Sequence, residues 1–295
     1  MKFRVTIAVL LLILASTLLL GQNRSDTPVY NTLLFKITNP NSSKTSYLFG
    51  THHAFGKRFF DSLTVANKAL SSCEILIKEN LNVPGHLAQD IINDRATRTK
   101  WDKYLTKDNL NFIKNLFSTS PTDYNKMTPT EMYAFLNRHY KQQVCLNKAV
   151  KDTSQSLDNY IGAKAQQLNM ELIGLETTQE QIILINKDVE GMPRKVHKRR
   201  LSNIIEKIES KNTADCVETN WYLKMEIDYQ LKQPCTNTLI LTNRNEKWMK
   251  TILQWIEKNN CFIAVGLSHL MYECGLISAL QNLGYGIEPI NTIQN

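Results

Sequence analysis

Two of the six histidines in this chain stand in the same local frame. In YLFGTHHAFG (47–56) an apolar run ends at Gly50 and His53 follows three residues later; in FIAVGLSHLM (262–271) Gly266 and His269 repeat the pattern. A glycine where a strand stops permits positive φ or a close approach of backbones. The turn then aims the third following side chain over the sheet edge. Imidazole placed there can bind a metal or move a proton near neutral pH. One such tetrapeptide reads as a hydrogen-bonded loop histidine, but two in matching contexts point to function. A catalytic metal takes about three protein ligands and keeps an open position, so carboxylates at neighbouring strand ends must complete the set. Glu79 follows ILIK and Glu176 closes LIGLE, and a buried carboxylate needs a cation, a donor or a metal. The competing readings are an ion pair with a lysine or arginine for Glu79, and service to the helix opened by TTQEQ for Glu176. Arg244, in TNRNEKWMKTI, has a planar fork suited equally to a substrate oxygen or to a strand-end glutamate. His52 is out of phase with the second motif, where Ser268 stands, and His86, His139 and His197 have no partner pattern.

The elements that must position these groups alternate in type. LLFKIT (33–38) and SYLFG (46–50) read as strands joined by an Asn, Pro and Ser turn. A helix over 60–72 and a strand over 74–80 follow. The middle reads as helices over 106–118, 129–143 (opened by the cap-like TPTE) and 154–168. MELIGLE (170–176) is a strand, and long amphipathic segments cover 194–210 and 214–231. A last unit runs helix 245–258, strand 261–266, helix 274–283 and strand 285–290. The alternation argues an α/β fold with a mostly parallel or mixed central sheet and a helical middle insertion. Two weakly related halves share the order strand, Gly-x-x-His, helix, strand, the last strand bearing Glu79 or Glu288. Ligands of such sheets bind beyond the carboxyl ends of the strands, where His53, Glu79, Glu176 and His269 collect.

Residues 1–21 read as a secretory signal peptide: Lys2 and Arg4 precede an unbroken apolar run from Ile7 to Ala15, and Gly21 suits a cleavage site. Left uncleaved, the same segment would be a membrane tether. The expectation is an exported protein, periplasmic or extracellular, with no further membrane span and one α/β domain over 22–295. The formal charge of +8 falls to +6 without Lys2 and Arg4. Much of that excess lies in PRKVHKRR (193–200), which opens an amphipathic helix and reads as its solvated face, so no nucleic-acid partner is expected. Export makes disulfides permissible for the six cysteines. None is in C-x-x-C spacing, which disfavours a thiolate zinc site. Cys216 and Cys235 flank one helical segment and are the expected bridge, while Cys73 and Cys261 border apolar strands and read as core residues.

No G-x-S-x-G, Walker loop, dinucleotide glycine loop or H-E-x-x-H occurs. The blocks LLFKIT…SYLFGTHH, the strand carrying Glu79, SLDNYIGAKAQQLNMELIGLETTQEQ (156–181), TNRNEKWMKTI (242–252) and FIAVGLSHL…GLISALQNLGYGIEPI together resemble the TraB/GumN family, which includes the Tiki proteins. The resemblance implies metal ligation by His53, Glu79 and His269, and an exported metallopeptidase acting on peptides or secreted proteins. The family is placed near erythromycin-esterase-like and ChaN-like proteins, which serve hydrolysis or haem/iron binding. The mechanism expected is a divalent ion (manganese, cobalt, iron or zinc) that polarises a carbonyl and activates water. Glu176 or another carboxylate then takes the proton, and Arg244 orients the substrate. Two rivals stand beside it. One is a metal-free, esterase-like hydrolase with His53 as general base oriented by Glu79 and Arg244 holding the substrate, and the other is a haem- or iron-binding protein.

Overall fold

The apolar runs on either side of the Asn-Pro-Ser turn pair as a hairpin in the computed structural model, which describes residues 30–148 and 155–293. The expected signal peptide lies outside the described residues, as does the first residue of the helix expected over 154–168. Strand β1 (Leu34–Thr38) runs antiparallel to β2 (Thr45–Thr51) on one side and to β6 (Gly286–Ile290) on the other. Beyond β2 the sheet is parallel: β5 (Cys261–Gly266), then β3 (Ile75–Lys78), then β4 (Glu171–Gly174). The six strands form one mixed sheet in the order β4-β3-β5-β2-β1-β6. The fold is therefore mixed α/β. Glu288 pairs with Lys36 in the body of the sheet and does not reach a strand end.

The two Gly-x-x-His strands are immediate neighbours. In register, Gly50 lies opposite Val265 and Thr51 opposite Gly266. Parallel pairing thus delivers both histidine turns to one edge, and β3 and β4 deliver Glu79 and Glu176 to the same edge.

Between β2 and β3 the expected single helix is two, α1 (Lys57–Ser62) and α2 (Thr64–Ser71), broken at Leu63. The insertion after β3 contains the short α3 (Ala88–Asn93), which periodicity did not reveal, then α4 (Lys107–Leu116) and α5 (Pro129–Tyr140). Thr128 and Glu131 close a capping box on α5, which has proline in its first turn. A π-turn over Lys141–Cys145 extends α5. Helices α6 (Leu157–Gln167), α7 (Thr178–Lys187), α8 (Arg194–Glu209), α9 (Val217–Lys224), α10 (Asn243–Ile256) and α11 (Leu276–Asn282) complete the chain. The segment expected to be helical over 214–231 stops at Lys224, because Met225 turns left-handed.

Two apolar cores result. Leu48, Phe49, Ile77, Phe262, Ile263 and Trp248 belong to the one around the sheet, and Trp101, Ile113, Leu136, Leu201 and Ile205 to a second inside the helical insertion. The expected Cys216–Cys235 bridge is not formed. Cys145 pairs with Cys216 and Cys235 with Cys274, at Cα separations of 5.3 and 6.0 Å that suit a disulfide. The early end of α9 directs Cys235 toward the β5–α11 turn and leaves Cys216, at the N-terminus of α9, beside the π-turn. Cys73 and Cys261 are free and buried.

Candidate functional site

At the edge shared by β2, β5, β3 and β4, four of the five side chains singled out from sequence, Arg244, Glu79, Glu176 and His269, meet in one cluster. Arg244 Nε donates to Glu176 Oε2 at 3.1 Å, and one terminal nitrogen donates to Glu79 Oε2 at 3.1 Å and also to Glu176 Oε1. The other terminal nitrogen lies 2.9 Å from His269 Nε2. Arg244 stands in the first turn of α10, directly after a π-turn over Thr238–Thr242, and its guanidinium lies 4.5 Å from the Trp248 ring centre. A fork engaged by two carboxylates and an imidazole is a positioning cation in this arrangement, with little donor capacity left for a substrate.

The helix after Glu176 does not use that carboxylate, because Thr177 and Glu180 form its capping box. Glu176 is consequently available to Arg244. Glu79 accepts from the Gly266 N–H at 2.7 Å and from Gln181 Nε2 at 3.1 Å. This explains the second glycine. Gly266 has ordinary backbone angles, φ −52° and ψ 134°, but a Cβ there would lie 3.0 Å from Glu79 Oε1. At Gly50 a Cβ would lie 2.6 Å from Leu267 Cδ1. Close approach, and not positive φ, is what both motifs require of glycine.

His269 is buried, 3% exposed, against Trp248. Asn245 sets its tautomer. The Asn245 amide nitrogen donates to the carbonyls of His269 and Cys274, so its oxygen, 2.7 Å from His269 Nδ1, must accept from an Nδ1–H. The Nε2 lone pair therefore faces Arg244. Burial, aided by the charges of Arg244 and His53, pushes this imidazole well below its ordinary pKa.

His53 takes a different partner. Its Nδ1 lies 2.7 Å from Asp158 Oδ2, and Thr51 donates its hydroxyl to the other Asp158 oxygen. Asp158 sits in the first turn of α6, which is fastened to the histidine loop by Leu157 N–H to the Phe55 carbonyl at 2.8 Å. Lys78, buried at the end of β3, donates to the Asp158 carbonyl at 3.1 Å. The Asp158 charge raises His53 to about 8. Burial opposes ionisation of Asp158, but His53 and Thr51 outweigh it and hold the carboxyl well below its usual range. The His53 side chain is 60% exposed, and with Nδ1 engaged its Nε2 is the nitrogen free to act.

His52 belongs to the packing: Nδ1 accepts from the Ala54 N–H, the ring meets Phe55 and Tyr222, and Nε2 lies 3.3 Å from Glu218. Asp158, Asn245 and Gln181 were not anticipated. An acid in the first turn of a helix reads as a partner of the helix dipole, so only tertiary contact reveals Asp158 as the partner of His53.

Glu79, Glu176 and the Nε2 lone pair of His269 are donors of the kind a divalent ion accepts. As arranged, however, the guanidinium of Arg244 lies among them and His53 is turned to Asp158. Among the described residues no three His, Cys, Asp or Glu side chains are grouped to hold an ion. The set fits a metal in kind and not in this arrangement.

The model of one protein family, described as TraB/PrgY/gumN, matches residues 33–289, which include every group named above. Comparison with curated proteins and with solved structures gives no significant match.

Proposed function

The chain belongs to the TraB/PrgY/gumN family, and from that premise we propose that it is an exported hydrolase of peptides or secreted proteins whose general base is His53. The observation that carries the reading is the His53–Asp158 pair, with Nδ1 held at 2.7 Å and the imidazole open to solvent. In the base form, His53 Nε2 removes a proton from water as the water oxygen attacks a substrate carbonyl. Asp158 stabilises the imidazolium so formed, and the proton then passes to the departing nitrogen or oxygen. Because Asp158 holds His53 near 8, the base form predominates only above that pH, and kcat/KM should rise to a plateau there.

The test is hydrolysis of a mixed peptide library and of simple esters by the purified protein, its His53→Ala variant and its Asp158→Asn variant. His53→Ala should lower the rate by about 10²- to 10⁴-fold. Asp158→Asn should move the ascending limb to lower pH, since the charge that raises His53 is gone. Unchanged turnover in His53→Ala would overturn the reading.

A second reading, metal-dependent peptidase activity, is favoured by the tautomer that Asn245 imposes on His269 beside Glu79 and Glu176. Binding of manganese, cobalt, iron or zinc by these residues requires Arg244 to withdraw. A saturating ion that binds only the folded state raises stability, by about 2.7 kcal/mol at a hundredfold excess over Kd. Turnover that a chelator abolishes and a divalent ion restores would select this reading over the first.

A further inference from the structure

We propose that Lys78 is a positioning residue for His53 and acts through Asp158: its ammonium fixes the main chain from which the Asp158 carboxylate reaches the imidazole. The inference rests on the hydrolase reading and deepens it. Lys78 is the last residue of β3, 5% exposed, and its Nζ donates to the Asp158 main-chain carbonyl at 3.1 Å. The next residue, Glu79, turns to Arg244 and to the Gly266 N–H. A strand sends successive side chains to opposite faces, so one strand end serves both groups of the site.

Three costs meet at this contact. A buried ammonium that donates to a neutral carbonyl gives up much of its hydration. It also stands against the first turn of α6, the positive end of that helix. Gly162, one turn beyond Asp158 inside α6, weakens the helix relative to alanine. An alanine Cβ there, however, would lie 3.1 Å from Lys78 Nζ and 3.7 Å from its Cδ, so the glycine makes room for the lysine. An apolar side chain of like length would fasten β3 to α6 without these costs, but it could not hold the Asp158 carbonyl. An aspartate side chain is short, and its carboxylate goes where its main chain puts it. Here the two oxygens must meet the Thr51 hydroxyl at the end of β2 and His53 Nδ1 in the loop that follows. Lys78, anchored in the sheet, ties that main chain to the same rigid edge.

The test compares the intact protein with Lys78→Met, which keeps the length and removes the donor, and with Gly162→Ala, which keeps the lysine and crowds it. On the peptide or ester that the intact protein hydrolyses, Lys78→Met should lower kcat by about 10- to 100-fold, the scale of a misplaced catalytic group. KM should stay unchanged, and the urea midpoint should hold or rise because a buried charge is gone. Gly162→Ala should lower kcat in the same sense, although alanine favours the helix. A lysine that served stability alone would give the reverse, a lower midpoint with kcat unaltered in the folded fraction, and that result would overturn the assignment. Should Lys78→Met fail to fold, the kcat of Gly162→Ala decides in the same way. If nothing is turned over, the hydrolase reading fails by itself, and the ring-nitrogen resonances of His53 above pH 8 decide Lys78. Which nitrogen carries the proton is set by the hydrogen bond the ring makes, and Asp158 holds it on Nδ1 in the intact protein. A shift of that proton toward Nε2 in Lys78→Met supports the assignment, and a ring that does not change overturns it.

Discussion

Arg244 and His53 show how two groups at one sheet edge come to differ. Arg244 is closed in, with a side-chain exposure of 12%, and answers two carboxylates of 12% and 1%. Removing it leaves Glu79 and Glu176 without their cation. Arg244→Ala should therefore cost about 3–5 kcal/mol, the scale for breaking a buried ion pair, read as a fall in the urea midpoint. Arg244→Lys should recover only part, since an ammonium cannot serve both carboxylates and the His269 lone pair in one plane. Exposed His53 carries a smaller burden, its pair with Asp158, so substituting it should lower the midpoint at neutral pH by less than Arg244→Ala does, and hardly at all above pH 8. A large loss of stability in the histidine variant would show that the pair with Asp158 is structural.

At the scale of elements, the site depends on what fastens the helical insertion to the sheet. Tyr222 of α9 donates its hydroxyl to the Gly50 carbonyl at 2.8 Å, and Glu218 of the same helix reaches His52 and Lys141. The Cys145–Cys216 bridge, across 71 residues of chain, anchors the start of that helix. Replacing both cysteines by serine should lower stability by about 2–4 kcal/mol, as closure of a loop this long implies, measured by denaturant unfolding under oxidising conditions. The same variant should lose protection from hydrogen exchange first in α9 and the π-turn. Loss confined to the β5–α11 turn would assign the fastening to Cys235–Cys274 instead.

For the whole molecule, the two motif histidines make stability depend on pH in opposite senses. His53 is raised from 6.5 to about 8 in the folded protein; its contribution is complete below about 6.5, the value in an unfolded chain, and is lost as pH rises through 8. Asp158, held low, contributes above its unfolded value and loses that contribution only in strong acid. His269 is pushed down, so the unfolded chain binds its proton more readily and stability falls as pH drops below about 6.5. Maximum stability is expected near pH 6.5. Urea midpoints from pH 5 to 9 should decline on both sides, with His53→Gln flattening the alkaline slope and His269→Gln the acid one. A His53→Gln profile identical to that of the unaltered protein would contradict the assignment of the alkaline slope. None of the described helices is long and apolar enough to cross a membrane.

Periodicity and turn chemistry are local, and so the strands, most helices and the strand-ending glycines were legible from the chain alone. Strand β5 falls at 261–266 as its apolar run implies, and α8 spans nearly all of its amphipathic stretch. The α/β class and the gathering of histidines and acids at one edge follow from the same local signals, because parallel strands must end on the same side. Partnership is not local. That Arg244 answers both glutamates, that Asp158 takes His53, and that Cys145 finds Cys216 depend on strand order and on where the insertion folds back. Side chains separated by 68, 105 and 71 positions meet only once the sheet has set the register. Composition and spacing decided which residues could do chemistry here, and tertiary packing decided which of them face one another.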